Sequence, residues 1–229
     1  MSTWLRNNAG PATAVLASTL ICASIALIFF WVPEDADQGF SQKIFYFHVP
    51  LAITSYACFG WGALKAFVHL WKRSPEADLQ SYVAIHLGVI FGALTLITGS
   101  IWAKASWGVW WTWSSQQLVL FLVLFLFYSA YFMLRFSVDP GPARANLSAV
   151  YALFGVVLIP VSFLAIRLAE DFIHPTVFTS AGPQMAGSMF FTFCVSLAAM
   201  IALAAALYRL ELTGKRLDAT MRRLREALE

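Results

Sequence analysis

Two residue types in this chain are suited to a shared piece of chemistry. Five of the nine tryptophans, Trp102, Trp107, Trp110, Trp111 and Trp113, fall within twelve residues. Two of the four histidines, His48 and His174, flank long apolar runs that end on the same side as this cluster. An imidazole can ligate iron axially, and two imidazoles on opposite faces of a macrocycle supply both axial positions of a heme. Indole faces can cover a flat apolar ring, while Lys43, Lys104 or Arg167 could meet carboxylate substituents at its edge. Each feature also has a plainer reading. The histidines could be interfacial groups bonded to backbone carbonyls, and tryptophans are enriched at membrane boundaries in any case. Trp4, Trp31 and Trp71 need no other explanation, but five in one short loop exceed what anchoring requires.

Other chemistries find less support. Glu34, Asp35 and Asp37 read as a solvated loop, whereas Glu170 and Asp171 could orient His174 or a partner. No hydroxyl or thiol is joined to an evident base, and no phosphate-binding glycine loop is present. Cys22, Cys58 and Cys194 sit singly in apolar runs and read as small buried hydrophobes. His69 and His86 read as structural groups, with His86 also placed to line a polar path. These features favour a binding protein over an independent enzyme, and no nucleic acid is expected as a partner.

The elements that must position these residues follow from composition. Of 229 residues, 60% are hydrophobic and 12% charged, about half the charge of a soluble domain. Six apolar stretches, about 12–32, 44–70, 79–101, 115–136, 147–169 and 184–209, approach or exceed the ~20 residues needed to cross a bilayer. Backbone polar groups in lipid must bond internally, so the predicted fold is an all-α integral membrane protein with six transmembrane helices in a single domain. The first run reads as a retained helix and not as a cleaved signal. Six crossings place both termini on one side. That side carries twelve basic against seven acidic residues, net +5, and the far side three against five, net −2. The basic excess places both termini in the cytoplasm and the tryptophans on the outer face.

Several local features refine this outline. Gly88 and Gly92, four apart, permit a close helix approach, and Pro160 predicts a kink in the fifth helix. His48 lies about one turn inside the outer end of the second helix, with Pro50 just beyond. In the loop 102–114, Trp107, Trp110, Trp111 and Ser114 are spaced three and four apart, which predicts a short interfacial amphipathic helix. The tail 210–229 mixes charge with Leu212, Leu217, Met221, Leu224 and Leu228, as in a surface or docking helix.

KIFYFHVP at 43–50, LTLITGSIWAKASWGVWWTW at 94–113 and His174-Pro175 after the fifth helix resemble the heme exporter protein C family of bacterial cytochrome c maturation. The likeness covers nearly the whole chain. It implies heme bound at the outer face of the inner membrane, with ligands at His48 and His174. The platform would be Trp102, Trp107, Trp110, Trp111 and Trp113. The resemblance also implies partners: a membrane-anchored periplasmic heme chaperone, the ATPase and membrane subunits of an ABC transporter, and a small single-helix membrane protein.

The chain departs from the family pattern at two places. Where the family continues Trp-Asp, then Ala or Pro, then Arg, this chain has Trp113-Ser114-Ser115-Gln116. Where Trp-Trp-x-Thr-Leu often precedes the second histidine, it has Leu168 through Ile173. Both changes flank the rim where a partner would meet the platform. They leave open a recipient other than the usual chaperone. Three other functions stay open: a heme-containing electron-transfer subunit using His69 or His86, a transporter subunit for another flat substrate, and a structural assembly subunit.

Overall fold

The computed structural model describes residues 2–36, 38–168, 178–179, 182–183 and 185–228. Among these, six helical spans are long and apolar enough to cross a membrane, which agrees with the six expected. Helix α1 covers Ser2–Phe30, and a 3-10 turn at Phe40–Ile44 leads into α2, Phe45–Lys72. Helices α3 and α4 follow at Pro75–Trp107 and Gln116–Ser137. The fifth span divides into α5, Pro142–Gly155, and α6, Leu158–Leu168. Short strands β1 (Phe178–Thr179) and β2 (Gly182–Pro183) pair antiparallel before α7, Gly187–Glu226.

Local chemistry sets these boundaries. Ser74 caps α3 by accepting a hydrogen bond from the Ala77 amide, with Pro75 in the first turn, where its missing N–H costs nothing. Gly108 ends α3 in the left-handed conformation (φ 76°), and its amide bonds the Lys104 carbonyl. The division of the fifth span follows from Pro160, which has no N–H to offer the Val156 carbonyl. That carbonyl instead accepts from Ile159, one residue nearer than α-helical spacing.

Helices α2 and α3 make the most extensive helix pair, and α1 packs mainly on α7. A cluster of Phe59, Ile85, Leu124, Tyr128, Tyr131 and Ala152 ties α2 and α3 to α4 and α5. The expected close approach occurs at Gly88, which lies directly beneath the Phe59 ring, while Ser55 Oγ donates to the Gly88 carbonyl at 2.8 Å. A second cluster, Ile28, Val32, Phe45, Tyr46, Trp102 and Phe193, fills the tryptophan end.

The opposite end is held by polar links. Arg135 donates two bonds to the Asp78 carboxylate, at 2.7 and 2.8 Å, with both side chains largely buried. His86 pairs with Glu211 at 2.9 Å, and Arg216 pairs with Glu76. These contacts fasten α7 to α3 beyond the expected end of the sixth span. The tail therefore continues α7 as one helix of 40 residues, roughly 60 Å long at ~1.5 Å per residue.

Candidate functional site

His48 sits in the first turn of α2, and its ring leans against α3. Its Nδ1 lies 3.0 Å from Thr98 Oγ1. The Thr98 hydroxyl donates to the Leu94 carbonyl at 2.8 Å, with the Thr95 carbonyl at 3.2 Å. That hydroxyl has one hydrogen, so when it is donated to a carbonyl of α3 the oxygen can accept from His48 Nδ1, an arrangement that favours the Nδ1–H tautomer. In that tautomer the imidazole lone pair is on Nε2. One residue further along α3, Gly99 makes room for the ring: a Cβ there would stand 2.8 Å from His48 Cε1. Trp102, one turn beyond Thr98, meets the His48 ring edge-on with centroids 5.8 Å apart.

These groups border a cleft of about 60 Å³, whose walls include His48, Thr95, Gly99, Trp102, Trp107, Trp111 and Gln117. A pocket that encloses a drug-sized ligand measures roughly 300–1,000 Å³, so this cleft can take an edge or a ligating group but not a whole macrocycle. Trp111 Nε1 and Gln117 Oε1 are enclosed here without a hydrogen-bond partner among the described residues. A buried donor and acceptor left in this way can be satisfied by a ligand or by water.

The five tryptophans divide into two groups. Trp102, Trp107 and Trp111 border the cleft with His48, and Trp102 is also part of the core. Trp110 and Trp113 are exposed, with Trp113 set edge-on to Trp111 at 5.6 Å. The short interfacial helix expected over 102–114 does not form. Helix α3 runs on through Trp107, Gly108 ends it, and 109–115 turns back toward α4 without helix. Trp107 and Trp111 thus reach the same cleft across a glycine turn and not along one helical face.

Of the cations considered for a ligand's carboxylates, Lys43 is buried, and its Nζ donates to the Ile28 carbonyl at 2.8 Å. It ties the end of α1 to the 3-10 turn, because an ammonium enclosed by apolar groups needs an oxygen partner. Lys104 is exposed and donates to the Gly108 carbonyl at 2.8 Å, closing the end of α3. The Arg167 side chain and all of Glu170, Asp171 and His174 lie outside the described residues.

His69 and His86 are engaged elsewhere. His69 Nδ1 donates to the Ser74 carbonyl at 2.8 Å, with Nε2 3.3 Å from Asn146 Oδ1, and His86 is held by Glu211. Their structural reading fits these contacts.

Thr98, Gly99 and Gln117 were not singled out as site residues from sequence. Thr98 and Gly99 precede Trp102 by four and three residues, which puts all three on one helical face. That spacing was the available signal.

A family model described as "Heme exporter protein C" matches residues 2–227 of the chain. The chain is 30% identical to heme exporter protein C of Paracoccus denitrificans over 227 residues, 96% of this chain and 94% of that protein. It is 34% identical to the Escherichia coli K12 protein of the same name over 151 residues, 66% of this chain and 61% of the relative. With the Haemophilus influenzae protein, also a heme exporter protein C, the identity is 31% over 157 residues, 69% and 63% of the two chains.

Proposed function

The chain belongs to the heme exporter protein C family, and from that premise we propose that it binds heme as cargo at its tryptophan end and presents it to a partner. The observation that carries this reading is that His48 borders one cleft with Trp102, Trp107 and Trp111, where Trp111 Nε1 and Gln117 Oε1 are enclosed without a hydrogen-bond partner among the described residues. His48 would ligate the iron, and His174 would be the second ligand. A cleft of about 60 Å³ does not enclose a macrocycle, so a heme held here would rest over the mouth of the cleft against the tryptophans and leave part of its surface uncovered. Trp107 and Trp111 would cover the ring beside the cleft, Trp102 packs against His48, and the exposed Trp110 and Trp113 would extend the platform outward. An exposed rim suits release to another protein.

The basic excess on the terminal side orients the protein in the bacterial inner membrane with both termini cytoplasmic and this platform in the periplasm. The recipient is a membrane-anchored heme chaperone. The ATPase and membrane subunits of an ABC transporter and a small single-helix protein complete the assembly.

Heme absorbs where tryptophan emits, so titration of the purified chain with heme should quench its fluorescence to saturation at one equivalent. Quenching without saturation would overturn the binding reading. Co-purification with the chaperone should rise when heme is present, and indifference to heme would contradict handover.

A further inference from the structure

We propose that Thr98 is a positioning residue of the heme site, selecting the His48 tautomer and, with Gly99, the plane in which its ring meets iron. The proposal rests on the reading that His48 ligates heme, and it concerns residues to which that reading assigns no role.

A neutral imidazole places its proton on either nitrogen, and only the unprotonated one binds a metal. Thr98 Oγ1 biases that choice: with its single hydrogen donated to the Leu94 carbonyl at 2.8 Å, it can accept from His48 Nδ1 at 3.0 Å. The ring is also fixed in rotation. Its Cε1 edge lies over Gly99, where a Cβ would stand 2.8 Å away, and Trp102 meets the ring at an interplanar angle of 66°. The nitrogen that binds iron is thus aimed before the heme arrives.

The nature of the acceptor also matters. A carboxylate partner makes a ligating histidine strongly basic, and outer-shell partners of metal ligands typically change affinity by roughly 10–100-fold. A hydroxyl is neutral and raises ligand basicity less. An iron bond that is well oriented without being strengthened by a charged partner would suit cargo that must leave.

The test compares Thr98→Val, which keeps the β-branched shape but removes the acceptor, with Thr98→Ser, which restores it. Nitrogen NMR of His48 in the heme-free protein reads the tautomer directly. Wild type and Thr98→Ser should show Nδ1 protonated, and Thr98→Val a mixture. In heme titrations Thr98→Val should weaken binding about 10–100-fold, with Thr98→Ser near wild type. If His48→Ala abolishes binding while Thr98→Val matches wild type in both measurements, the positioning role is wrong and the heme reading stands. If His48→Ala binds heme as wild type does, the ligand assignment itself fails, whatever Thr98→Val shows. A folded Gly99→Ala protein gives an independent check. It should lose affinity with the Nδ1–H tautomer disturbed, and unaltered tautomer and affinity would contradict the proposed seat.

Discussion

Two glycines hold a pair of stacked rings between them, and their substitution offers a quantitative test of the packing. Phe59 and Tyr128 stack at 4.1 Å with an interplanar angle of 7°, both fully buried. A Cβ on Gly88 would stand 2.5 Å from Phe59 Cδ1, and one on Gly155 would stand 2.6 Å from Tyr128 Cζ. Ordinary contact begins at 3.4 Å, so each added methyl must push its ring by close to an ångström. Neither ring can yield toward the other, because the stack is already at contact and its far side rests on the second glycine. Overpacking of this kind costs about 1–3 kcal/mol, so Gly88→Ala and Gly155→Ala should each destabilise the protein by that amount. Because the two methyls squeeze one ring pair from opposite sides, the double variant should lose more than the sum, with a coupling of about 0.5–3 kcal/mol. Reversible unfolding in mixed detergent micelles, followed by circular dichroism, measures all four proteins. Single changes within about 0.5 kcal/mol of wild type, the range of ordinary surface substitutions, would refute the sandwich.

Three further outcomes follow from named contacts. Asp78→Ala leaves the Arg135 guanidinium enclosed without its carboxylate and should cost about 3–5 kcal/mol in the same assay; a loss below about 1 kcal/mol would contradict the buried pair. Lys43→Met removes the donor to the Ile28 carbonyl and should destabilise by about 1–3 kcal/mol while heme affinity stays within about twofold of wild type. A large affinity loss there would return Lys43 to the role of carboxylate partner. Glu211→Ala frees both His86 and Lys215 and should speed tryptic cleavage across 215–225 several-fold; an unchanged rate would show that α7 is not held there.

How much of this was legible in the sequence differs from element to element. The six spans were readable because apolar length is an additive property that survives any packing arrangement. The break before Pro160 and the close approach at Gly88 were readable because each rests on one residue's covalent geometry. The partition of the tryptophans was not. Spacing over 107–114 fits a helical face, but the left-handed cap at Gly108 wins, because α4 must start at Gln116 and the chain has only a few residues in which to turn. Lys43 reads as an outward cation because it lies at the outer end of the second apolar span. Its burial depends on where the end of α1 comes to lie, which no local pattern encodes. Thr98 was hidden for a related reason: α3 is apolar around its whole circumference, so periodicity does not mark the face that meets α2.

The proposed function stands or falls on whether His48 and His174 hold heme iron at the tryptophan platform. The most direct measurement is the absorption spectrum of protein purified from heme-replete cells, oxidised and reduced, for wild type, His48→Ala and His174→Ala. The account predicts a stoichiometric heme in wild type with a bis-imidazole spectrum, and in each variant a sharp fall in occupancy or a changed axial-ligand signature. Wild-type occupancy and unaltered spectra in both variants would contradict it.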